Sequence, residues 1–242
     1  ELFRRNQRKL FRPVKTLREL FPDVVAVRGN MSLTPSELTR DSRRVNPGAV
    51  FFAIDGERLD GHAFIAEALS RGAIAIVSER ALPEDLPAVA IQVPSMKHAL
   101  SDAARRFWGM PDKKLTLLGI TGTKGKTTTA YLLRHLLQAA ELDCGMLSTI
   151  ENDLGMRAMP ASRTTADAVD LASFFAQMRE NSCTHAVMEV SSHSLEQGRV
   201  QGLGYEVALF TNLTSEHMDY HEDMENYYQA KKQSFNYVWK AL

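Results

Sequence analysis

Residues 114–129, KLTLLGITGTKGKTTT, decide the architecture of this chain. An apolar run ending at Ile120 predicts a buried strand, and a glycine-rich turn then leads into a helical pattern. In that order, the N–H groups of the turn and the positive end of the helix dipole point to one place. The stretch therefore predicts a loop that binds the phosphates of a nucleotide.

The turn carries a short form of the P-loop motif, Gly-x-x-Gly-Lys-Thr, because the general pattern has a glycine where Ile120 stands. Gly122 and Gly125 would let the backbone approach phosphate oxygens closely. Lys126 would reach the terminal phosphates, and Thr127 would offer its hydroxyl to Mg²⁺. So short a motif also fits an ordinary strand–helix turn, and the flanking strand and helix favour the nucleotide.

Composition excludes several classes of protein. The 242 residues contain 29 Lys plus Arg and 29 Asp plus Glu, so no global basic field would attract nucleic acid or membrane. No apolar run approaches the ~20 residues that span a bilayer. Two cysteines, Cys144 and Cys183, have no metal-binding spacing and indicate a reducing compartment. We expect a soluble, cytoplasmic protein.

The chain does not begin with Met, and its start is strongly basic. Residues 1–18 hold seven Lys or Arg against one acid, Glu1. The apolar core of a secretion signal is missing, and the serines of a transit peptide are absent. We interpret residues 1–16 as a basic N-terminal extension, with a transit peptide as the alternative.

Residues 17–98 predict a small α/β domain. Apolar runs bounded by turn residues predict strands at 49–54, 73–77 and 88–93, and helical spacing predicts a helix at 62–70. Asp41-Ser42-Arg43 precedes the first of these strands. From spacing alone it reads as an ordinary turn with a capping Asp and Ser.

Residues 99–242 predict a second, larger domain, joined to the first by a helix between Pro94 and the 109–113 segment. Helices are predicted at 127–140 and 168–178, and strands at 144–150, 185–190 and 207–213. The first of these helices should turn four leucines inward: Leu132, Leu133, Leu136 and Leu137. Strands that alternate with helices indicate a mainly parallel, doubly wound sheet, so the fold class is α/β.

Polar side chains follow the predicted strands, where ligands of such sheets gather. Glu189 ends an apolar strand, a position from which a carboxylate can hold Mg²⁺ beside a P-loop. Two histidines and two acids follow the last strand and fit either a metal-binding loop or a solvated loop: Glu216, His217, Asp219 and His221. Lys231 and Lys232, unaided by context, read as surface charges.

Taken together, five blocks resemble the Mur ligase family, in its UDP-N-acetylmuramoyl-tripeptide synthetase branch. They occur in the family's order and cover most of the chain from residue 17 onward. The blocks are DSRRVNPGAVFFAIDG (41–56), GITGTKGKTTT (119–129), RTTADAVDL (163–171), MEVSSHSLEQGRV (188–200) and TNLTSEHMDYHEDMENYYQAKKQSF (211–235).

The resemblance implies ATP-dependent peptide bond formation in peptidoglycan precursor synthesis. ATP would phosphorylate the D-Glu carboxylate of UDP-N-acetylmuramoyl-L-alanyl-D-glutamate, and the amine of a diamino acid would attack the acyl phosphate. It also implies that residues 17–98 bind UDP and residues 99–242 form an incomplete ATP-binding central domain. The family's C-terminal ligase domain would be missing, so we expect this chain alone to be inactive.

The resemblance assigns site residues one by one. The triphosphate would lie on Gly122, Thr123, Lys124, Gly125, Lys126, Thr127 and Thr128, with Asn212 as a further nucleotide contact. Mg²⁺ would be held by Thr127, Glu189, His217 and Lys231, the last carbamylated by CO₂. Catalysis would rest on Lys126, Glu189, His217 and Lys231. The substrate would contact Ser42 at its uracil–ribose end and Thr164, Thr165, Ser191, Gln197 and Arg199 along the muramoyl peptide.

Three positions depart from the family's pattern. Lys124 stands where Asn is usual and adds a cation to the phosphate loop. Arg163 replaces the usual Asn before the Thr pair, and Ser194 replaces a common Gly. These departures make the substrate assignment around residues 163–165 less direct than the ATP assignment.

Other functions compete with this interpretation. Another amide ligase, of the D-Ala-D-Ala-adding or folylpolyglutamate type, would share the phosphate loop but not the 163–171 and 191–200 blocks. A non-catalytic nucleotide-binding scaffold would not need Glu189, His217 and Lys231 together. A P-loop NTPase of motor or switch type would have no use for the first domain.

Overall fold

The computed structural model describes residues 13–56, 59–216 and 218–237. The chain divides into two compact units, one of residues 13–107 and one that begins at Trp108. Both are α/β units, and each is described by itself.

The first unit holds a five-stranded sheet and three α-helices. The helices are α1 (Leu17–Leu20), α2 (Ile65–Ser70) and α3 (Met96–Phe107). The strands are β1 (Ala26–Arg28), β2 (Glu37–Thr39), β3 (Ala49–Phe52), β4 (Ala75–Ser78) and β5 (Val89–Gln92). Their order is β1-β5-β4-β3-β2, and all pairs are parallel except β1 with β5. Short 3₁₀ helices span Ser42–Arg44 and Gly61–Phe64.

The first core lies mainly on β3 and β4, whose residues are all buried. Phe51 and Ile76 pack with Ala68 of α2 on one side of the sheet. Phe52 contacts the ring of Phe21, just after α1, with 5.9 Å between ring centroids. Burying apolar side chains on both faces is typical of parallel strands.

The boundary between the units differs from the predicted one between residues 98 and 99. Helix α3 belongs to the first unit as a whole, because it packs against α1 of that unit. Leu100, Ala103, Ala104 and Phe107 are buried, as the apolar spacing predicts. The helix is thus part of the first unit and not a free connector.

The second unit is built on a six-stranded sheet. Its strands are β6 (Thr116–Thr121), β7 (Cys144–Leu147), β8 (Glu151–Asp153), β9 (Ala158–Pro160), β10 (His185–Glu189) and β11 (Val207–Phe210). Its helices are α4 (Lys126–Ala139), α5 (Ala168–Glu180), α6 (Ser192–Glu196), α7 (Met218–His221) and α8 (Met224–Lys232). Pro111–Lys114 and Gln233–Tyr237 are 3₁₀ helices.

The strand order of the second sheet is β11-β6-β10-β7-β8-β9. The first four strands are parallel, and β8 and β9 add an antiparallel hairpin at one edge. In this order β6 lies between β10 and β11. The carboxyl ends of three neighbouring strands therefore meet beside the phosphate loop.

Alternate residues of the central strands enter two different cores, so both faces of the second sheet are covered. Ala186 and Met188 of β10 pack with Phe175 of α5, whereas Val187 packs with Ala130 of α4. The prediction of a mainly parallel, doubly wound sheet is confirmed.

The prediction that four leucines of α4 point inward is half wrong. Leu133 and Leu137 pack against the core, but Leu132 and Leu136 are 59% and 62% exposed. Ala130 marks the middle of the buried stripe, and positions three and seven residues later lie on the same face. The other two leucines are rotated away from that stripe toward solvent.

Two strands of the second unit end three residues before their predicted ends. The strand predicted at 144–150 ends at Leu147, because Ser148 turns the chain into β8: its N–H donates to Glu151 O at 3.0 Å. The strand predicted at 207–213 ends at Phe210, since the residues that follow bond to the phosphate loop instead. Hairpin β8–β9 and strands β1 and β2 are absent from the sequence prediction.

Among the helices of the described ranges, none combines the length and the apolar character that crossing a membrane requires.

Candidate functional site

The glycine turn after β6 has the backbone conformation that the motif predicts. Gly122 and Gly125 have φ of +139° and +85°, where side chains other than glycine's are disfavoured. A Cβ at Gly122 would lie 2.0 Å from Thr211 Oγ1. Gly125 is the N-cap of α4 and offers no side-chain cap to the first N–H groups of the helix. The turn thus presents main-chain donors at the positive end of a 14-residue helix.

The segment after β11 fixes this loop from the side. The amide of Asn212 holds both backbone groups of Lys124: Oδ1 accepts from Lys124 N–H, and Nδ2 donates to Lys124 O, each at 3.0 Å. Thr211 donates its hydroxyl to the same carbonyl at 2.6 Å. Asn212, predicted as a nucleotide contact, therefore serves the loop itself in this structure.

Lys126 extends back over the loop. Its Nζ donates to the carbonyl oxygens of Gly122 and Thr123, both at 2.8 Å. Burial lowers the pKa of Lys126, while the negative charges of Glu189 and Glu216 act in the opposite direction. A cation held in this way has a strong demand for an anionic partner.

Lys231 lies against the same loop, although it is 109 residues away in sequence. Its Nζ also donates to Gly122 O at 2.8 Å, and the residue is only 1% exposed. The ammonium group lies 4.6 Å from the ring centroid of Tyr227, one helical turn earlier on α8. Burial and, second, the charge of Lys126 lower the pKa of Lys231 to about 7. Much of this amine is therefore neutral near pH 7, in the form that can act as a nucleophile.

Lys232, the neighbouring lysine, is exposed. Its ammonium group lies 5.9 Å from the ring of Tyr228, on the outer side of the helix.

Glu189 ends β10 with its side chain fully buried. Thr149 holds both carboxylate oxygens: its N–H donates to Oε1 at 2.9 Å, and its hydroxyl lies 3.1 Å from Oε2. In the sheet register Glu189 pairs with Ile120 of β6, two residues before the loop glycine Gly122. A buried carboxylate at a strand end next to a phosphate loop fits the predicted metal ligand.

The residues predicted to hold the muramoyl peptide are linked in one network. Thr165 donates its hydroxyl to Glu189 O at 2.9 Å and accepts from Ser191 N–H at 3.0 Å. Arg199 donates to Thr165 O at 3.0 Å and, through Nε, to Gln197 Oε1 at 3.0 Å. The structure thus brings these four residues together around the end of β10.

Thr164 and Ser194 complete this region. Thr164 Oγ1 lies 3.2 Å from Thr149 Oγ1. Ser194, a departure from the family pattern, is fully buried, and its hydroxyl donates to Ser191 O at 2.6 Å. Arg163 is exposed beside Thr164.

Ser42 lies in the other unit and is not free in this structure. It is buried, and its hydroxyl donates to Glu67 Oε2 at 2.6 Å. Asp41 caps the 3₁₀ turn by accepting from Arg43 N–H at 3.1 Å. The capped turn that spacing predicted is therefore present, and the uracil–ribose contact stays a prediction.

Only part of the predicted metal loop after β11 lies within the described residues. His217 lies outside the described residues. His221 is buried, with Nε2 2.9 Å from Ser192 Oγ and its ring beside Tyr227. Across the described ranges, no group of three or more His, Cys, Asp or Glu side chains is placed to hold a metal ion.

Mg²⁺ fits the oxygen donors that remain. This ion takes one or two protein carboxylates or hydroxyls and completes its shell with phosphates and water. Thr127 lies in the first turn of α4 and Glu189 at the end of β10, and both side chains carry the hard oxygens that this ion prefers. Lys124 and Thr128 are exposed at the same turn.

Sequence reasoning missed three residues of the site. Thr149 follows β7 at the tip of the turn into β8. Tyr227 is fully buried, with its hydroxyl 3.2 Å from Thr123 Oγ1. Thr214 closes the loop by donating its N–H to the same Thr123 oxygen at 3.0 Å. No local pattern identifies them, because each acts on a residue far away in sequence.

The chain matches two family models. Residues 36–108 match the Mur ligase family, catalytic domain, and residues 120–241 match the Mur ligase middle domain. The two matches fall on the two structural units.

Curated relatives are named UDP-N-acetylmuramoyl-L-alanyl-D-glutamate–2,6-diaminopimelate ligase. The chain is 51% identical to that of Solibacter usitatus over 198 residues, which is 82% of this chain and 40% of the relative. It is 43% identical to that of Geobacillus thermodenitrificans over 210 residues, 87% of this chain and 40% of the relative. The chain thus spans less than half the length of these relatives.

A solved structure of a ligase with the same name superposes with a TM-score of 0.80 at 28% identity. The match covers 93% of this chain and 46% of that chain. Sequence models, relatives and fold agree, and they cover both units. The chain belongs to the Mur ligase family, of which it carries the N-terminal and middle domains.

Proposed function

We propose that this chain is the UDP- and ATP-binding part of an ATP-dependent ligase that adds a diamino acid to UDP-N-acetylmuramoyl-L-alanyl-D-glutamate. One observation carries the proposal: Lys126 and buried Lys231 converge on Gly122 O beside the carboxylate of Glu189. The names of the relatives supply the substrate and the reaction.

In the first step, the phosphate loop and Lys126 bind and orient the triphosphate. The substrate's carboxylate is a poor electrophile and repels the triphosphate, so cations must offset the charge that gathers during phosphoryl transfer. Lys126 meets this need, because its half-buried ammonium is held over the loop by the carbonyl oxygens of Gly122 and Thr123. Thr127, Glu189 and His217 would hold Mg²⁺, which when bound would supply further positive charge to offset that of the triphosphate.

Lys231 has a separate role in the proposal. Its amine, with a pKa of about 7, is suited to attack CO₂: a C–N bond forms, a proton leaves, and the ammonium is replaced by a carbamate anion. That anion would add oxygen ligands where the described side chains provide few. It would also remove the repulsion between Lys231 and Lys126.

The network at the end of β10 would hold the muramoyl peptide. Thr164, Thr165, Ser191, Gln197 and Arg199 surround the same strand end as Glu189. This would bring the D-Glu carboxylate to the γ-phosphate. The first unit, through Ser42, would bind the UDP end, and the protein would work in the cytoplasm.

Ligand binding by this chain tests the proposal. We expect ADP with Mg²⁺ to bind in calorimetry, and Lys126→Ala to weaken binding by about tenfold or more, the cost of a lost charge-assisted contact. We expect the UDP-muramoyl dipeptide to bind at least tenfold more tightly than the UDP-muramoyl tripeptide or a folate. Preference for the tripeptide or the folate would assign the chain to another ligase of this family.

The carbamate needs its own experiment. With ¹³CO₂ at pH 8, we expect one carbamate signal in the ¹³C spectrum, lost in Lys231→Ala and kept in Lys232→Ala. A signal that survives the first substitution would show that the modified lysine is another one.

A further inference from the structure

A short hydrogen-bond chain joins the predicted substrate side of the site to the predicted metal side. Thr164 Oγ1 lies 3.2 Å from Thr149 Oγ1, which lies 3.1 Å from Glu189 Oε2. The N–H of Thr149 donates to the other oxygen of the same carboxylate at 2.9 Å. The three residues come from three separate segments, and neither sequence nor family pattern had assigned Thr149 a role.

Thr149 is the donor in both side-chain contacts of this chain. Its one hydroxyl proton is shared between Thr164 Oγ1 and Glu189 Oε2, a three-centre arrangement in which both oxygens accept. Thr164 therefore keeps its own hydroxyl proton for a partner outside the chain.

Thr149 is held in place by a tight turn and not by a core. Ser148 fixes the turn, because its hydroxyl donates to Glu151 O at 2.9 Å and accepts from the Ile150 N–H at 3.2 Å. Thr149 and Ile150 are both exposed at its tip. Thr149 is exposed but bonds both oxygens of the fully buried Glu189 carboxylate, so its role is to hold that carboxylate and not to fill a core.

We propose that Thr149 is a positioning residue that couples Thr164 to Glu189. It orients the Glu189 carboxylate for Mg²⁺ and holds the oxygen of Thr164, so that the Thr164 hydroxyl acts as a hydrogen-bond donor. Thr164 then recognises an acceptor oxygen of the substrate, such as a carbonyl or carboxylate oxygen. This inference rests on the proposed function, because it takes Glu189 as a metal ligand and Thr164 as a substrate contact.

The expected size of the metal effect comes from hydrogen-bond partners of metal ligands, whose loss typically costs 10–100-fold in affinity. Thr149→Val removes the hydroxyl but keeps the shape and the main-chain N–H. Since the N–H of residue 149 still holds one carboxylate oxygen, we expect the lower end of that range, a loss of about tenfold in metal affinity. Thr149→Ser restores the hydroxyl and should lie within about twofold of the wild type.

The experiment measures two affinities of this chain: Mn²⁺ in the presence of ADP, by electron paramagnetic resonance, and the UDP-muramoyl dipeptide, by calorimetry. Thr149→Val should weaken Mn²⁺ binding about tenfold. Thr164→Val should weaken the dipeptide about tenfold, the scale of a lost hydrogen bond, with Mn²⁺ binding unchanged. Ile150→Val, on the same exposed turn, is the matched control and should change neither affinity.

Coupling is tested with the double variant. Thr149→Val should weaken binding of the dipeptide about threefold, because the Thr164 hydroxyl is no longer held in one orientation. In the double variant with Thr164→Val, Thr149→Val should cause no further loss of dipeptide affinity. Additive losses, or Mn²⁺ binding unchanged in Thr149→Val, would overturn the inference. A wild-type chain that binds neither ADP nor the dipeptide would overturn the proposed function and this inference with it.

Discussion

In the first unit, Arg80 and its two acidic partners are paired in the open beyond the strand ends, whereas in the second unit Glu189 and Lys231 are buried. Arg80 bridges Asp55 and Asp60, and all three side chains are between 42% and 60% exposed. In the second unit, Glu189 and Lys231 are 0% and 1% exposed. Two similar parallel sheets thus place their charges in opposite environments.

The pKa values show what this difference means. The N–H and the imidazole of His62, with Arg80, hold the pKa of Asp60 at about 2, so the folded state favours its charge. Burial and Lys126 lower the pKa of Lys231 to about 7, so the folded state disfavours that charge. Charges that cost stability and lie beside a phosphate loop are typical of a binding site.

Gly122→Ala should have the largest effect of the single substitutions in this comparison. The added Cβ would lie 2.0 Å from Thr211 Oγ1, at a φ of +139°. Strain and overpacking together should lower the free energy of unfolding by roughly 3 kcal/mol or more and abolish ADP binding. Urea unfolding and calorimetry measure the two effects.

Gly125→Ala is the matched control for that substitution. Its φ is +85°, but the nearest atom to an added Cβ is Thr211 Cβ at 4.0 Å. The remaining cost is that of a left-handed backbone conformation, which should lower the free energy of unfolding by about 1–2 kcal/mol. Equal losses in the two variants would show that contact with Thr211 does not make Gly122 necessary.

Lys231→Met should stabilise the chain at pH 7, since it removes a buried amine whose charge the fold disfavours. Between pH 7 and the ordinary pKa of 10.5, the unfolded chain binds a proton that the folded chain lacks. Wild-type stability therefore rises with pH relative to the variant, by roughly 1.4 kcal/mol per pH unit in that window. Urea unfolding at pH 7 and pH 9 in CO₂-free buffer measures the change.

Lys232→Met provides the control, because Lys232 is the exposed neighbour on the same helix. Its effect on the free energy of unfolding should be small, because the side chain is exposed. A pH-independent difference between wild type and Lys231→Met would mean that the buried amine keeps its ordinary pKa.

Tyr227→Phe should cost about 1 kcal/mol in the free energy of unfolding, the scale of one buried hydrogen bond. The substitution removes the hydroxyl that lies 3.2 Å from Thr123 Oγ1 but keeps the ring beneath Lys231. Tyr228→Phe, at a side chain 38% exposed on the same helix, should be neutral. Losses of the same size in both variants would contradict a specific bond to the loop.

Asp60→Asn should give the smallest effect, because the carboxylate is solvent-exposed and its partners lie at the surface. Its low folded pKa makes its contribution present above the ordinary pKa of 3.8 and lost as the pH falls toward 2. The variant should therefore be slightly less stable than the wild type at pH 6, with curves that converge in acid. Urea unfolding at pH 6 and near pH 2 checks the sign of the stability difference.

Much of the fold follows from local sequence pattern, and the errors of the prediction have a common cause. The strand–turn–helix at 116–139 and the strand ending at Glu189 are where apolar periodicity places them. Leu132 and Leu136 were wrongly predicted to point inward, because an apolar residue in the sequence does not show whether another part of the chain packs over it. Strand ends at Leu147 and Phe210 were missed because the bonds that end them come from distant or antiparallel partners.

The site was predictable where it is local and not where it is assembled. The glycines, Lys126 and Thr127 lie within six residues, so a motif identifies them. Glu189 came from its place at a strand end, whereas Lys231 and the Thr164–Arg199 group came from resemblance and not from spacing. Thr149 and Tyr227 came from neither, since their roles exist only in contacts with Glu189 and Thr123.

By itself, the sequence determined two α/β units, a phosphate loop between a buried strand and a helix, and the absence of a global charge. These depend on hydrophobic period and backbone preference, which act over a few residues. The tertiary structure alone decided that Lys231 meets Gly122 across 109 residues and that Thr149 holds Glu189. Such contacts depend on strand order, because the sheet sets which loops share an edge, and burial there gives an amine or a carboxylate its chemistry.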